Sequence, residues 1–204
     1  HKKIYMINFT DFILLVGFYF TMFVTPGPNN AMLTTSGLKF GFKKTLPHLI
    51  GIPVGHIVQI SLVCLLVGKI SDPFPIIPII LKYLCAIYLL YLGYKMIGSF
   101  SEHKKDTTRP LKLYEASLFQ FVNPKAWTVA SMVASGFFPH EENIVIAIIY
   151  TTFTAAIVCF PSICLWALFG ASIRTIIKNI KIKKIIEYLL ALLLVITAVI
   201  IVFD

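Results

Sequence analysis

Charged residues are scarce in this chain of 204 residues. They make up 13% of it, with nine acids against 18 Lys and Arg, whereas about 25% is usual in a soluble domain. Hydrophobic residues make up 58% and the mean hydropathy is +0.86, which is more apolar surface than a soluble domain of this size can bury. This balance excludes a soluble enzyme, a DNA-binding domain and a disordered chain, and it predicts a polytopic membrane protein.

The chain is also poor in residues that support metal or thiol chemistry. Its four cysteines are Cys64, Cys85, Cys159 and Cys164, all within apolar stretches and without a CxxC pair. This excludes a secreted disulfide scaffold. No histidine or carboxylate lies close to them in sequence, as a metal site requires, so we interpret them as small buried hydrophobic residues. No cofactor or bound metal is expected.

Apolar stretches long enough to cross a bilayer, which takes about 20 residues, occur six times. The predicted spans cover 9–37, 45–68, 74–98, 113–138, 143–170 and 185–203. The first stretch has no small-residue cleavage site at its end, so we expect it to be retained rather than removed as a signal peptide. The sequence therefore predicts a single all-helical membrane domain over 1–204 with short loops.

Basic residues concentrate in three alternate loops. Thirteen of the 18 Lys and Arg lie there: Lys39, Lys43, Lys44, Lys95, Lys104, Lys105, Arg109, Lys112, Arg174, Lys178, Lys181, Lys183 and Lys184. Because Lys and Arg near span ends collect on the cytoplasmic side, we expect these loops in the cytoplasm and both termini outside it. Charges divided among three short loops do not favour a nucleic-acid partner, and the expected surroundings are a lipid bilayer.

Two of the predicted spans are interrupted at matching places. The interrupting residues are Pro26, Gly27, Pro28, Asn29 and Asn30 in the first span, and Asn123, Pro124 and Lys125 in the fourth. Proline removes a backbone donor and clashes with the preceding turn, so each helix is expected to break at mid-membrane. Breaks in the first and fourth spans predict two inverted three-span repeats, over about 9–98 and 113–203. Broken helices at corresponding positions are typical of a transporter's substrate site, with purely structural kinks as the alternative.

Lys125 lies at the middle of the fourth predicted span, and none of the nine acids lies at mid-span. A charge at this depth costs about 2.5 to 3.5 kcal/mol on insertion scales. We expect a substrate carboxylate to supply the missing anion, helped by free N–H groups where each second half-helix begins. The asparagines offer both donors and acceptors to the substrate or the unwound backbone. The alternative is that Lys125 snorkels or caps the carbonyls of a broken half-helix.

The second predicted span combines a packing pattern with two polar residues. Gly51 and Gly55 form a GxxxG pattern, which allows close helix approach. His56 and Gln59 are three residues apart and therefore share a helix face. Because histidine titrates near neutral pH, we consider His56 and Gln59 candidates for proton coupling, with an interhelical hydrogen-bonded histidine as the alternative.

The motif from Pro26 to Asn29, the glycine-rich second span and the motif from Asn123 to Lys125 together resemble the LysE/RhtB family of bacterial amino-acid exporters. The resemblance covers nearly the whole chain. It implies a secondary transporter that exports amino acids across the inner membrane, driven by the proton motive force. His56 departs from the acidic or apolar residue that many relatives have after this glycine, which leaves the coupling residue open. Substrates vary within the family, so the resemblance does not fix the amino acid.

The expected function is export of a small neutral amino acid by alternating access, because a cationic side chain would need an acid that the mid-membrane region lacks. One alternative is a heavy-metal cation exporter of the same superfamily, which requires thiolates or carboxylates converging at mid-membrane. An intramembrane enzyme, which requires a CxxC pair or an activated nucleophile, and an assembly subunit without transport are further alternatives. A homo-oligomer is compatible with the sequence.

Overall fold

The computed structural model describes residues 8–67, 76–97, 109–139, 143–176 and 179–203. Every regular element in these ranges is a helix, which confirms the all-helical fold class. The helices are α1 (Phe9–Val24), α2 (Pro28–Phe40), α3 (Phe42–Val67), α4 (Ile76–Met96), α5 (Leu113–Phe119), α6 (Pro124–Gly136), α7 (Ile144–Ile176) and α8 (Ile180–Phe203). Several predicted positions lie outside the described residues, among them the span limits 68, 74 and 98 and the basic residues Lys104, Lys105 and Lys178.

Three helices in the described part of the chain are long and apolar enough to cross a membrane, namely α3, α7 and α8. The bent pair of α1 and α2 makes a fourth if it forms one span. The described apolar part of α4 runs over Tyr83–Tyr94 and is shorter. Several apolar helices of membrane-spanning length are therefore present in the described part of the chain, while the count of six remains a prediction.

The helix is interrupted at both places where the proline motifs predict a break. The chain bends by 55° between α1 and α2, and four residues, 120–123, separate α5 from α6. Pro28 and Pro124 are the first residues of α2 and α6. Proline fits this position because the N–H that it lacks would have no partner within the helix. Each proline therefore opens a second half-helix rather than kinking a continuous one.

The helices α3 and α7 lie at the centre of the fold. The broken helices cross them: α1 and α2 pack on α7, and α5 and α6 pack on α3. The two central helices also pack on each other, and α4 pairs with α8 at the side. Each broken helix thus contacts a long helix from the other half of the sequence.

Glycines allow the closest of these crossings. A Cβ on Gly51 would lie 2.3 Å from the carbonyl oxygen of Leu113, and one on Gly55 would lie 2.5 Å from that of Ser117. The GxxxG pattern therefore does pack α3 directly on the backbone of α5. The hydroxyl of Ser117 also donates to the carbonyl oxygen of Gly51 at 2.8 Å.

The ends of the basic loops that the structure describes converge at one end of the fold. The Arg174 guanidinium donates to the carbonyl oxygen of Lys39 at 2.9 Å, which joins the end of α7 to the end of α2. Lys39 and Arg109 line the same cavity, which brings the segment before α5 to this end as well. Exposed apolar side chains cover much of α4, α7 and α8, as expected for helices that face lipid.

Candidate functional site

The break between α1 and α2 frees backbone carbonyl groups, and side chains bind them. The Asn30 side-chain amide donates to the carbonyl oxygens of Phe23 at 2.9 Å and Thr25 at 2.7 Å. The Trp166 indole N–H, on α7, donates to the carbonyl oxygen of Val24 at 3.1 Å. Backbone groups that leave a helix inside a membrane must find such partners, so Asn30 and Trp166 stabilise the interrupted backbone.

Lys125 also binds carbonyl groups of this break, and it shares that of Thr25 with Asn30. Its Nζ donates to the carbonyl oxygen of Thr25 at 3.0 Å, to the Thr25 hydroxyl at 2.8 Å and to the carbonyl oxygen of Pro26 at 3.2 Å. The C-terminal end of α1 carries a partial negative charge that favours a cation here. Among the described residues, no carboxylate pairs with Lys125. Lys125 therefore caps the carbonyls of a broken half-helix, as the alternative interpretation expects, and its partners in the described part of the chain are neutral oxygen atoms.

Side chains also donate to the freed carbonyl groups of the break between α5 and α6. The Trp127 indole donates to the carbonyl oxygen of Phe121 at 2.9 Å, and Gln59 Nε2, on α3, donates to that of Gln120 at 3.1 Å. Asn123 caps α6 because its Oδ1 accepts from the N–H of Lys125 at 3.1 Å. Each break thus has one indole that binds a freed carbonyl.

A pair of side-chain amides joins the two breaks directly. Asn29 Nδ2 donates to Gln120 Oε1 at 2.8 Å, and Gln120 Nε2 donates to Asn29 Oδ1 at 3.2 Å. Gln120 is fully buried and also donates to the carbonyl oxygen of Ala116 at 2.9 Å. The capping residue before α2 is Gly27, which has no side chain to bind the first N–H groups of that helix. These N–H groups remain available to a ligand, whereas Asn123 caps α6.

A small cavity of about 20 Å³ lies between the two breaks, lined by Asn29, Asn30, His56, Asn123 and Lys125 among others. This volume holds about one water molecule. His56 lies 2% exposed, with its ring 5.1 Å from that of Phe23. Its Nδ1 has no hydrogen-bond partner in the described structure, and the same is true of Gln59 Oε1. The predicted residues therefore do converge, but in this conformation they leave no room for an amino acid.

A larger cavity of about 480 Å³ lies on the other side of Lys125. One wall comes from the first break and the start of α6, and its polar side chains are Lys125 and Thr128. The other wall comes from α8 and includes Leu193, Ile196 and Ile200. Lys125 thus lies at the boundary between the small cavity and a larger space. The volume of that larger space is within the range of small-ligand sites, about 300 to 1,000 Å³.

Sequence reasoning misses Gln120, Thr25 and the two tryptophans as members of this site. Trp166 and the carbonyl that it binds are 142 residues apart, and no local spacing pairs them. The only sign of Gln120 in the sequence is that it is a polar residue within an apolar stretch, three positions before Asn123. Local sequence favours packing or interface anchoring for the tryptophans, and their indole N–H groups instead bind the interrupted backbone.

The cysteines do not converge. Cys64, Cys85 and Cys159 are buried on α3, α4 and α7, and Cys164 is partly exposed. Within the described ranges there is no group of three or more His, Cys, Asp or Glu residues that could hold a metal ion. The part of the chain that is described therefore offers no observation in favour of a heavy-metal site.

Comparison with known proteins shows the family of this chain. The family model for the LysE type translocator matches residues 20–204, which is most of the chain and includes both breaks. The chain belongs to the LysE type translocator family. A cysteine/O-acetylserine efflux protein of Salmonella paratyphi A is 28% identical over 177 residues, which cover 86% of this chain and 89% of the relative. Proteins of the same name from Salmonella typhimurium and Escherichia coli O1:K1 are 27% and 26% identical over the same shares. No solved structure matches this translocator significantly.

Proposed function

We propose that this translocator exports a small neutral amino acid from the cytoplasm by alternating access, with the substrate carboxylate bound to Lys125. The observation that carries the proposal is the position of Lys125. Its ammonium lies between two helix breaks and faces a cavity large enough for an amino acid. Within the described ranges it is bound only by carbonyl and hydroxyl oxygens. A carboxylate binds an ammonium more strongly than neutral acceptors do, so a substrate can replace one or more of these contacts.

The packing supports two inverted three-span repeats, one formed by α1 to α4 and the other by α5 to α8. If the halves are exchanged, the contact of α2 with α7 becomes that of α6 with α3, and the contact of α1 with α7 becomes that of α5 with α3. The contacts of α3 with α7 and of α4 with α8 map onto themselves. This pattern, together with the paired breaks, is that of transporters whose substrate binds between repeats.

The lining of the larger cavity favours a neutral substrate. The described residues that line it include no carboxylate, while α8 contributes an apolar wall. A lysine or arginine side chain would therefore enter without a counter-charge, which is costly in a membrane. The relatives are named for efflux of cysteine and O-acetylserine, which are small and neutral. We propose the same substrate class here, with these two compounds as the first to test.

Transport by alternating access requires the two breaks to separate and close. The small cavity holds about one water, and the amide pair of Asn29 and Gln120 holds the start of α2 against the second break. We infer that the described conformation is closed on the side of Lys125 that faces the small cavity. Substrate transfer requires the amide pair to part, which moves α2 relative to α5.

Proton coupling is assigned to His56, with Gln59 as its neighbour. Both residues carry a buried polar atom without a partner in the described structure. His56 and Lys125 both line the small cavity. A proton on His56 adds a second positive charge near the ammonium of Lys125. Repulsion between the two charges weakens the binding of that ammonium to the break. A His56→Ala variant should therefore lose the pH dependence of efflux, and an unchanged pH profile would remove His56 as the proton carrier.

The membrane orientation follows from the basic loops. Lys39, Arg109 and Arg174 converge at one end of the fold, and we propose that this end faces the cytoplasm. With six spans across the inner membrane, both termini then lie outside. A reporter fused to either end, active only in one compartment, tests this orientation.

Efflux from proteoliposomes tests the substrate-binding role of Lys125. Vesicles that contain the full chain are loaded with L-cysteine under reducing conditions, or with O-acetyl-L-serine, and efflux is followed under an imposed pH gradient. Lys125→Ala is expected to reduce efflux at least about tenfold, since a hydrogen bond to a charged group contributes about 1.5 to 3 kcal/mol. The exposed Lys43 provides a matched control, and Lys43→Ala should transport at the wild-type rate.

A second variant separates substrate binding from helix capping. Thr25→Val removes one acceptor of the ammonium but keeps the charge, so it should retain efflux. Loss of efflux in Thr25→Val equal to that in Lys125→Ala would indicate that Lys125 acts only by holding the break together. Wild-type efflux by Lys125→Ala would refute the carboxylate site outright.

A further inference from the structure

A third cavity, of about 340 Å³, lies where the basic loops converge and away from the helix breaks. It opens between the C-terminal half of α2, the start of α3, α4 and the segment that leads into α5. Its polar lining includes Ser36, Lys39, His48, Tyr91, Arg109 and Glu115. The volume is within the range of small-molecule sites, about 300 to 1,000 Å³.

His48 is the buried polar group of this cavity. It is 1% exposed, and neither ring nitrogen has a hydrogen-bond partner in the part of the chain that the structure describes. Buried polar groups in folded proteins are normally paired, so an unpaired imidazole on a cavity wall indicates a ligand that pairs with it when bound. The proton coupling proposed for His56 does not involve this histidine.

An ion pair of opposite charges lines the same cavity as His48. Arg109 Nη1 donates to Glu115 Oε2 at 2.6 Å, and a second guanidinium contact completes a bidentate pair. Both side chains reach solvent, with exposed fractions of 52% and 25%. The pair is bidentate, and Glu115 Oε2 also accepts from the N–H of Lys112 at 2.8 Å, so both charges are held in a fixed geometry. A ligand can exchange with the pair if it brings one charge of each sign to replace what each partner loses.

An amino acid zwitterion has this charge pattern. We propose that the cavity is a second amino-acid site, in which Arg109 binds the α-carboxylate, Glu115 binds the α-ammonium and His48 donates to or accepts from the ligand. The site recognises only the groups that all amino acids share. It does not depend on Lys125.

The site also has a place along the transport route, and this part rests on the proposed function. An apolar layer that includes Met32, Leu89, Phe119 and Leu194 adjoins the cavity on its inner side. The helix α2 lines this cavity at Ser36 and the small cavity between the breaks at Asn29. Its rise of about 1.5 Å per residue places these two residues about 10 Å apart. The cavity is therefore a loading site, from which the amino acid reaches Lys125 when the apolar layer opens.

Equilibrium binding of ³⁵S-labelled L-cysteine to the purified full chain in lipid nanodiscs tests the proposal. Wild type is expected to bind at two sites, and Lys125→Ala and Arg109→Gln are each expected to retain one. In Arg109→Gln the affinity of the lost site should fall about tenfold or more. Cysteamine, which lacks the carboxylate, and 3-mercaptopropionate, which lacks the amine, should not compete at the site that Lys125→Ala retains.

The outcomes separate this inference from the proposed function. If Lys125→Ala keeps two sites while Arg109→Gln keeps one, the loading site stands and the Lys125 site fails. If Arg109→Gln and Glu115→Gln both bind L-cysteine as wild type does, the loading site is refuted. It is also refuted if phosphatidylglycerol in the nanodisc abolishes binding in Lys125→Ala and phosphatidylcholine does not, because the cavity then holds an anionic lipid headgroup.

Discussion

Gly170→Ala tests the closest helix crossing among the described glycines. A Cβ at this position would lie 2.0 Å from the carbonyl oxygen of Thr34 and 2.9 Å from the backbone nitrogen of Leu38, both on α2. Ordinary Cβ contacts begin at 3.4 Å, and a backbone carbonyl inside a helix cannot turn away as a flexible side chain can. The two helices must therefore move apart by more than about 1 Å, at a cost typical of overpacking, about 1 to 3 kcal/mol.

The expected result is a lower melting temperature in detergent, by several degrees, because each kcal/mol shifts the midpoint by about 2 to 4 °C in a chain of this size. Tryptophan fluorescence is a suitable assay, since the Trp166 indole on α7 binds the carbonyl of Val24 just before α2 begins. Gly17→Ala is the matched control. Nothing lies within 4 Å of a Cβ there, so the higher helix propensity of alanine should leave that variant as stable as wild type or slightly more stable.

Equal melting temperatures for Gly170→Ala and Gly17→Ala would refute the close crossing. A second contrary result is a Gly170→Ala variant that melts lower but keeps the wild-type Trp166 fluorescence and wild-type efflux. That result would mean that α2 does not move, although the added Cβ requires it to do so.

Two further changes act on the first break. Trp166→Phe keeps an aromatic ring but leaves the carbonyl of Val24 without its donor, which should lower stability by about 1 to 3 kcal/mol; an unchanged melting curve would show that the indole does not hold the break. Gly27→Ala places a Cβ 3.0 Å from Cδ of Lys125, so the lysine side chain must shift. We expect a higher KM for efflux with little change in melting temperature, and an unchanged KM would contradict the proximity of Lys125 to the substrate.

The helices and their two breaks are predictable from the sequence because both arise from local chemistry. Long apolar runs predict helices in a membrane protein, and Pro28 and Pro124 begin new helices where a neighbouring asparagine or glycine supplies the helix start. A lone proline does not suffice, since Pro53 and Pro161 lie inside α3 and α7.

The ends of the helices are less predictable. The apolar run predicts that the last helix begins at 185, yet α8 begins at Ile180, and α7 continues to Ile176 rather than ending at 170. Hydropathy marks the part of a helix that lies in lipid. A helix continues beyond it as long as its exposed turns carry residues that tolerate water, as Arg174 and Lys181 do.

The partners at the breaks are not predictable from local sequence. The four carbonyls freed in the first break accept hydrogen bonds from Asn30, Lys125 and Trp166, and two of these donors lie about a hundred or more residues away along the chain. The motifs identify where backbone groups are released, and only the packing of α6 and α7 on the break identifies which side chains bind them.

The ammonium of Lys125, as the group that binds the substrate carboxylate, is central to the proposed transport function. Solid-state NMR tests this role most directly, by measuring the dipolar coupling between ¹⁵Nζ-labelled lysine and the ¹³C-labelled carboxylate of bound L-cysteine in lipid bilayers. We predict a nitrogen-to-carbon distance of about 4 Å, the range of a direct ion pair, and the loss of this coupling in Lys125→Ala. Bound L-cysteine that shows no coupling to lysine in the wild type, or the same coupling in Lys125→Ala, would contradict it.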